Sequence, residues 1–233
     1  MKLSIIIPCY NESEDITKNV SKVLDYMKKF DFEYELIVVD DGSKDNTYEV
    51  ISKIEGIVPL TYQPNRGKGG AVKEGIEHAK GEYVLFMDAD LSTDLKAIDE
   101  LIPLLDPNTV VVGTRHHKDS MMPIKPPLKR RIMSFGCKFI VNHKFHFKST
   151  DTQCGFKAFY TEFAKKMVQK QTIYGFAFDV EYLYIAKLNG VNYLELPVVW
   201  RDDRGSTVRA FNSSLNFFKD LRKIKKNKKN YII

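Results

Sequence analysis

Long apolar runs and paired cysteines are both missing from this chain. No apolar run approaches the about 20 residues that a bilayer-spanning helix needs, and the apolar part of the N-terminal stretch MKLSIIIPCYNE is too short for a signal peptide. The three cysteines, Cys9, Cys137 and Cys154, show no C-x-x-C spacing. These absences argue against a disulfide framework and a zinc site, so we expect reduced, mostly buried thiols in a cytoplasmic protein.

Excess positive charge is absent from most of the sequence. The net charge of the 233 residues is +6, and residues 219–229 alone hold seven lysines or arginines against one aspartate. The remainder is therefore neutral. A nucleic-acid-binding body needs a basic face, so we expect no nucleic-acid partner.

Two nucleotide-binding signatures are absent as well. The glycine-rich stretch GKGG at 67–70 does not belong to a G-x-x-x-x-G-K-[ST] phosphate loop. Val72 stands where the dinucleotide motif G-x-G-x-x-G needs its third glycine. These absences argue against a phosphate-loop kinase and a dehydrogenase.

What the chain does contain is an alternation of short β-branched runs with helical patterns. The strand-like runs lie at 4–8, 35–40, 58–62, 83–88, 110–113, 155–159 and 191–199. Helical patterns lie at about 16–27, 44–54, 70–79, 95–105, 128–141 and 177–188, and Asn11 with Glu14 offers a cap for the first of them. The alternation predicts an α/β domain with a mostly parallel central sheet and helices on both faces.

Polar residues follow several of these strand runs. The strand ends read Pro8-Cys9-Tyr10-Asn11, Asp40-Asp41-Gly42-Ser43 and Asp88-Ala89-Asp90. Ligands of such sheets bind at the carboxyl ends of the strands, so we expect a site at this edge. Asp88 and Asp90 are two residues apart, and in an extended segment they share a face. Such close like charges indicate a bound cation or a strand end open to water, and a solvated cap of the next helix is the alternative.

Six segments in order resemble family 2 glycosyltransferases of the GT-A fold. They are IIIPCYNE at 5–12, VVDDGSKDNT at 38–47, NRGKGGAV at 65–72, DADL at 88–91, GTR at 113–115 and DTQCGFKAF at 151–159. Within the family, DTQCGFKAF, FAFDVEYLYIA at 176–186 and PVVW followed by GS at 205–206 are similar to dolichyl- or polyprenyl-phosphate β-glucosyltransferases, with mannosyltransferases second. The resemblance implies a Rossmann-like GT-A catalytic domain over 1–209. The spacing of apolar residues and the run of lysines and arginines after it predict a C-terminal amphipathic basic helix over 210–233.

A divalent metal fits the paired carboxylates. Such an ion can bridge the diphosphate oxygens of a sugar nucleotide and neutralise the charge that develops there. Ligand sets made only of oxygen suit Mg²⁺ or Mn²⁺. We therefore expect Asp88 and Asp90 to hold the metal, and the resemblance implies that Asp88 also lies near the ribose.

The resemblance also implies a nucleotide-sugar pocket. Its residues would be Pro8, Tyr10, Asn11, Glu12, Asp40, Asp88 and Ala89. Asn11 has a plainer alternative, because it could cap its helix, and Asp41-Gly42, next to Asp40, could simply form a turn. Lys68 is a candidate phosphate contact or, alternatively, an exposed loop lysine.

Basic residues after the strand-like run at 110–113 are candidates to bind an acceptor phosphate, because guanidinium groups match phosphate oxygens bidentately. They are Arg115, Arg130, Arg131 and Arg204, with Ser134 as a further donor. The segment WRDDRGS departs from the glucosyltransferase pattern by its extra charges, so Arg204 could instead pair with Asp202 or Asp203. Asp151 matches a family position near the reacting centre, and the alternative is that its side chain only caps the loop.

The resemblance implies inverting transfer of a hexose to a polyprenyl or dolichyl phosphate, with UDP-glucose as the first donor and GDP-mannose as the second. A phosphate monoester is largely dianionic at pH 7, so it needs no general base. Transfer to a sugar or polyol hydroxyl does need one, and Asp179, with Glu181 nearby, occupies the family position for it. An inactive nucleotide-sugar sensor or scaffold is the third alternative, against which Asp88, Asp90 and Arg115 argue.

The C-terminal segment suggests how the protein reaches a lipid acceptor. Its apolar face would consist of Phe211, Leu215, Phe218 and Leu221, with lysines and arginines around and beyond it. Basic amphipathic helices lie in the interface of anionic membranes. We expect 222–233 to contact the cytoplasmic face of a membrane, whereas packing on the catalytic domain is favoured for 211–221.

Overall fold

The computed structural model describes residues 1–124, 127–201 and 210–233. In this part of the chain, seven strands form one sheet: β1 Leu3–Cys9, β2 Tyr34–Asp40, β3 Val58–Thr61, β4 Tyr83–Met87, β5 Thr109–Thr114, β6 Phe156–Tyr160 and β7 Asn192–Pro197. The helices are α1 Ile16–Met27, α2 Thr47–Ile51, α3 Lys68–His78, α4 Ala97–Leu101, α5 Leu128–Phe145, α6 Thr161–Gln169, α7 Phe178–Leu188 and α8 Ala210–Lys226. Short 3₁₀ helices follow α4 and α8 at Ile102–Leu104 and Asn227–Tyr231.

The strand order is β3-β2-β1-β4-β6-β5-β7. Only β6 among the described strands runs antiparallel to its neighbours, β4 and β5, and all the other pairs are parallel. The loop that precedes β6 therefore lies at the same edge as the carboxyl ends of β4 and β5. The predicted mostly parallel sheet is confirmed.

Helices cover both faces of the sheet, as predicted. Because side chains alternate along a strand, Ile6 of β1 faces a core built with α3, α5, α6, α7 and α8. Its neighbours Ile5 and Ile7 face a second core built with α1, α2 and α4. Three layers result, and they leave the strand ends free to form a site.

One local expectation was wrong, and one helix was missed. Asn11 does not cap α1, which begins at Ile16; its backbone has φ 53°, and its Oδ1 accepts a hydrogen bond of 2.9 Å from the Lys44 N–H. Helix α6 was not predicted at all, because its nine residues TEFAKKMVQ give too short an apolar pattern to stand out.

The C-terminal segment packs on the rest of the molecule. Phe217, Leu221, Ile224 and Tyr231 are buried in the core that α7 helps to build, whereas Phe218 is 36% exposed. The prediction that Phe218 lies on the packed face was therefore wrong by one position, and the side chains of Phe211 and Leu215 lie outside the described part. The division into 1–209 and 210–233 stays a prediction. No described helix has the length and apolar character needed to cross a membrane.

Candidate active site

The predicted site residues meet at one edge of the sheet. Tyr10 and Asp40 lie at the ends of β1 and β2, Asp88 follows β4, and Arg115 follows β5. Asp151 comes from the loop before β6, which reaches the same edge because β6 is antiparallel. The topology therefore brings together residues that are far apart in the sequence.

Lys68 and Asp88 form an ion pair at the centre of this edge. Lys68 is the first residue of α3, and its Nζ contacts Asp88 Oδ1. The two side chains are 26% and 28% exposed. Burial alone would lower the pKa of Lys68, but Asp88 and neighbouring carboxylates raise it. Lys68 thus carries a charge held by Asp88, and the alternative of an exposed loop lysine was wrong. Contact with a phosphate stays a prediction.

A glycine allows this close packing around Asp88. A Cβ atom on Gly155 would lie 2.1 Å from Asp88 Oδ2, so no other residue fits there without displacing the carboxylate. Asp90 is exposed, and its Oδ1 accepts a hydrogen bond of 2.9 Å from the Ser92 N–H. Desolvation of its carboxyl group and the charge of Asp88 raise the pKa of Asp90. The two carboxylates thus repel each other, which is the electrostatic condition for binding a cation.

The donor set agrees with a metal that takes few protein ligands. The described residues contain no group of three or more histidines, cysteines, aspartates or glutamates that could hold a metal ion. Asp88 and Asp90 together offer two carboxylates as possible metal ligands. Mg²⁺ is bound in this way in many phosphate-transfer sites, because it keeps several waters and uses substrate phosphates as ligands.

Backbone hydrogen bonds tie the loop after β1 to the loop after β2. The Asn11 N–H donates to Ser43 Oγ at 2.8 Å, and the Glu12 N–H donates to Thr47 Oγ1 at 2.9 Å. Pro8 is buried below this junction, and Tyr10 is 39% exposed. Ala89 is buried, and its carbonyl accepts a 3.0 Å hydrogen bond from Asn19 Nδ2. These hydrogen bonds thus join the loops into one wall beside Asp88.

The adjacent residues Asp40 and Asp41 are both buried and hold different loops. Asp40 accepts hydrogen bonds from the Ser43 N–H at 3.1 Å and from Thr61 Oγ1 at 2.8 Å. Both of its oxygens therefore have partners within the protein, and contact with a nucleoside stays a prediction.

Asp41 shapes the loop that leads to Lys68. It accepts hydrogen bonds from Tyr62 Oη at 2.6 Å, Asn65 Nδ2 at 2.9 Å, the Arg66 N–H at 2.9 Å and the Gly67 N–H at 3.2 Å. The sequence pattern predicted only that Asp41 and Gly42 form a turn. The sequence signal for these contacts was the polar stretch NRG at 65–67, because its side-chain and backbone N–H donors need a nearby acceptor.

The glycines of GKGG serve close packing. Gly67 has φ 92°, and a Cβ atom there would lie 2.7 Å from the Tyr174 carbonyl oxygen. The Gly69 N–H donates to the same oxygen at 2.8 Å. The segment before α7 thus fixes the start of α3 and, with it, Lys68.

Arg115 and Asp151 form a bidentate ion pair. Arg115 Nε and Nη2 donate to the two Asp151 oxygens at 2.6 and 3.0 Å, and the Arg115 N–H donates at 3.1 Å. Burial alone would raise the pKa of Asp151, but Arg115 lowers it from 3.8 to about 2. Burial alone would lower the pKa of Arg115, but Asp151 raises it. The Trp200 ring lies 5.3 Å from the guanidinium carbon, a cation–π distance.

Asp179 lies behind this edge, in the first turn of α7. It is 4% exposed, and its Oδ1 accepts a hydrogen bond of 2.5 Å from the fully buried Lys157 Nζ. Burial raises the pKa of Asp179, although Lys157 and Lys68 counteract it. Glu181 has a different task, since it accepts hydrogen bonds from the Thr172 and Ile173 N–H groups at 2.9 Å each and from Tyr231 Oη at 2.5 Å.

The remaining acceptor candidates lie on α5 or outside the described residues. Arg131 is exposed and Ser134 is half-buried, and at a spacing of three residues they share one side of the helix. Arg130 belongs to the same helix, but its side chain is outside the described part. Arg204, with Asp202 and Asp203, lies outside the described residues.

Known proteins match this chain over most of its length. The model of glycosyl transferase family 2 matches residues 4–168. A dolichyl-phosphate beta-glucosyltransferase of Dictyostelium discoideum is 35% identical over 240 residues, which cover 96% of this chain and 73% of that protein. The Homo sapiens protein of the same name is 34% identical over 238 residues, which cover 94% and 74%.

A solved structure shares the fold. Glucosyl-3-phosphoglycerate synthase from Mycobacterium tuberculosis, crystallised with Mn²⁺, UDP and glucosyl-3-phosphoglycerate, matches with a TM-score of 0.71 at 18% identity, covering 97% of this chain and 80% of that one. The present chain belongs to glycosyl transferase family 2, has the GT-A fold and is a glycosyltransferase.

Proposed function

We propose that this enzyme transfers a hexose from a nucleoside diphosphate sugar to a dolichyl or polyprenyl phosphate, with inversion at the anomeric carbon. Glucose is the first candidate sugar, because two relatives at 34–35% identity are dolichyl-phosphate beta-glucosyltransferases. UDP-glucose is the donor that the family resemblance implies for it. GDP-mannose is the second candidate donor.

The observation that carries the proposal is the arrangement of Arg115. Asp151 takes its Nε and one Nη N–H. Its other Nη N–H groups have no hydrogen-bond partner among the residues that the structure describes. A guanidinium held in this way can donate to a phosphate oxygen without losing its anchor. Arg131, Ser134, Arg130 and Arg204 are further candidate contacts of the acceptor.

Metal binding at Asp88 and Asp90 is part of the proposal. When bound there, Mg²⁺ or Mn²⁺ would neutralise the diphosphate leaving group. Lys68 supplies a second positive charge beside Asp88. The nucleoside would lie against the wall that Tyr10, Asn11 and Glu12 form with the end of β2.

The nucleophile in this proposal is a phosphate oxygen that carries its charge already at pH 7. No base has to remove a proton. This agrees with the position of Asp179, which is 4% exposed and bonded to Lys157. The lipid acceptor implies peripheral attachment to the cytoplasmic face of a membrane, for which the cations of the C-terminal segment are the candidates.

A transfer assay tests the function. Purified protein is incubated with UDP-glucose, UDP-galactose, UDP-N-acetylglucosamine or GDP-mannose, with Mn²⁺ or Mg²⁺, and with either a short polyprenyl phosphate or the matching polyprenol. We expect glucosyl product from UDP-glucose and the phosphate only. Product from GDP-mannose would make the enzyme a mannosyltransferase, and product from the polyprenol would overturn the phosphate acceptor.

A further inference from the structure

Glu195 of β7 is a half-buried carboxylate with several hydrogen-bond donors around it. Its Oε1 accepts hydrogen bonds from Ser149 Oγ at 2.9 Å, the Thr150 N–H at 2.5 Å and Tyr193 Oη at 3.1 Å. Its Oε2 accepts one from Thr150 Oγ1 at 2.7 Å. No ion pair between described residues includes Glu195. The carboxylate thus serves to hold the 149–150 segment on the sheet.

The same hydrogen bonds continue to both members of the Arg115–Asp151 pair. The Asp151 N–H donates to Ser149 Oγ at 3.1 Å. Thr150 Oγ1 shares a hydrogen bond of 2.6 Å with Thr114 Oγ1, and Thr114 immediately precedes Arg115. Glu195 is therefore linked to Asp151 by hydrogen bonds through Ser149. A second chain of hydrogen bonds, through Thr150 and Thr114, links it to the residue before Arg115.

We propose that Glu195 is a positioning residue, which fixes the direction in which Arg115 presents the N–H groups not bonded to Asp151 to the acceptor phosphate. The inference rests on the proposed function only for the identity of that acceptor. A bidentate pair is sensitive to small shifts, because both of its hydrogen bonds need the fork and the carboxylate in one plane. If the 149–151 segment moves, Asp151 turns the guanidinium with it.

Two substitutions separate the geometry from the charge. Glu195→Gln keeps the side-chain length and one acceptor oxygen for the Thr150 N–H, while the hydroxyl of Thr150 can turn to accept from the new amide. Glu195→Ala removes every acceptor. Glu35→Ala is the matched control, since Glu35 is also half-buried in a strand and accepts hydrogen bonds of 2.6 Å from Ser4 Oγ and the Lys80 N–H, at the opposite end of the sheet.

Kinetics give the first test. We expect Glu195→Ala to raise the KM for the polyprenyl phosphate roughly tenfold or more, as for loss of a hydrogen bond to a charged group, with the KM for the sugar nucleotide unchanged. Glu195→Gln should recover most of the loss, and Glu35→Ala should change neither constant. In an Arg115→Lys background Glu195→Ala should have little further effect, because the two residues act through one contact. Equal effects on both substrates, or full additivity, would overturn the proposal.

A second measurement does not depend on the acceptor. In ¹⁵N-labelled protein, the Arg115 Nε–H resonance can be assigned by its loss in Arg115→Lys. We expect this resonance to shift and to exchange faster with solvent in Glu195→Ala, and to stay near its native position in Glu195→Gln and Glu35→Ala. An unchanged resonance in Glu195→Ala would refute the positioning role. Failure of the proposed function would appear differently, as absence of transfer to polyprenyl phosphate by the native enzyme.

Discussion

Lys68 Nζ binds Asp88 Oδ1, so the first residue of α3 forms an ion pair with the first carboxylate of the Asp88-Ala89-Asp90 motif. Asp90 accepts a hydrogen bond from the Ser92 N–H, and desolvation of its carboxyl group and the charge of the nearby Asp88 raise its pKa. The two aspartates are therefore unequal. Asp88 is held in place by Lys68, whereas the charged form of Asp90 is disfavoured by its surroundings and would be stabilised by a bound cation.

The first prediction is metal dependence through Asp90. Excess chelator should abolish transfer, and Asp90→Ala should remove most activity and weaken Mn²⁺ binding measured by electron paramagnetic resonance. The fold should persist, since the side chain is exposed and loses one hydrogen bond. Asp106→Ala is the control, because Asp106 also accepts a 2.9 Å hydrogen bond from the N–H two residues on. Full activity in chelator would contradict a metal-dependent mechanism.

The second prediction concerns the acceptor. Arg115→Lys keeps a positive charge beside Asp151 but loses the planar fork. We expect it to weaken use of the acceptor phosphate by about 1.5–3 kcal/mol, with donor binding unchanged in calorimetry. A similar loss for donor and acceptor would show that Arg115 acts on the donor or on the fold instead.

The third prediction is a pH dependence of stability. Asp151 is 4% exposed, and its pKa falls from 3.8 to about 2 on folding. A carboxyl group with a lowered pKa stabilises the folded state above its unfolded pKa, and this contribution is lost as the pH falls from about 4 to about 2. Its size is about 2 kcal/mol.

Urea unfolding of the native protein and of Asp151→Asn measures this contribution. The difference in unfolding free energy should be larger at pH 6 than at pH 3. A pH-independent part is also expected, because the variant leaves the Arg115 charge without its partner. A difference that is the same at both pH values would mean that the ion pair does not lower the pKa of Asp151.

The sequence predicted the sheet and most of its helices, because β-branched runs and helical periodicity are local signals. It could not predict the pairing of Arg115 with Asp151, which depends on β6 entering the sheet antiparallel between β4 and β5. The same topology brings Glu195 of β7 to the 149–150 segment. Strand order leaves no local trace in a single sequence, so these contacts required the structure.

Two other differences have equally physical reasons. Asp41 was interpreted as part of a turn because its donors, such as Asn65 and Gly67, come from a loop more than 20 residues away. The choice between Phe217 and Phe218 was wrong because adjacent aromatic residues fit a helical pattern almost equally well. Burial then depends on how α8 rotates against α7.

The fourth prediction tests the alternative with a hydroxyl acceptor. If phosphate is the nucleophile, Asp179→Asn should still support transfer. The variant leaves Lys157 with a buried charge, so the double variant Asp179→Asn with Lys157→Met is the better protein if the single one is unstable. Loss of transfer with intact folding and donor binding would favour Asp179 as a base and a hydroxyl as acceptor.

The fifth prediction concerns attachment to membranes. Removing the chain after Asp220 would also remove the buried residues Leu221, Ile224 and Tyr231, so truncation would damage the core. Substitution of exposed cations by glutamine is cleaner. The five positions are Lys219, Arg222, Lys226, Lys228 and Lys229.

Flotation with vesicles that contain phosphatidylserine measures the effect. Each cation near an anionic surface adds about 1 kcal/mol, so native protein should float at low salt and detach at high salt, whereas the five-glutamine variant should stay behind. The control replaces five exposed lysines elsewhere, namely Lys18, Lys22, Lys28, Lys53 and Lys80. It should float like native protein, because the total charge is changed equally but the C-terminal cluster is intact. Equal partitioning of native protein and the C-terminal variant would mean that this segment is not the anchor.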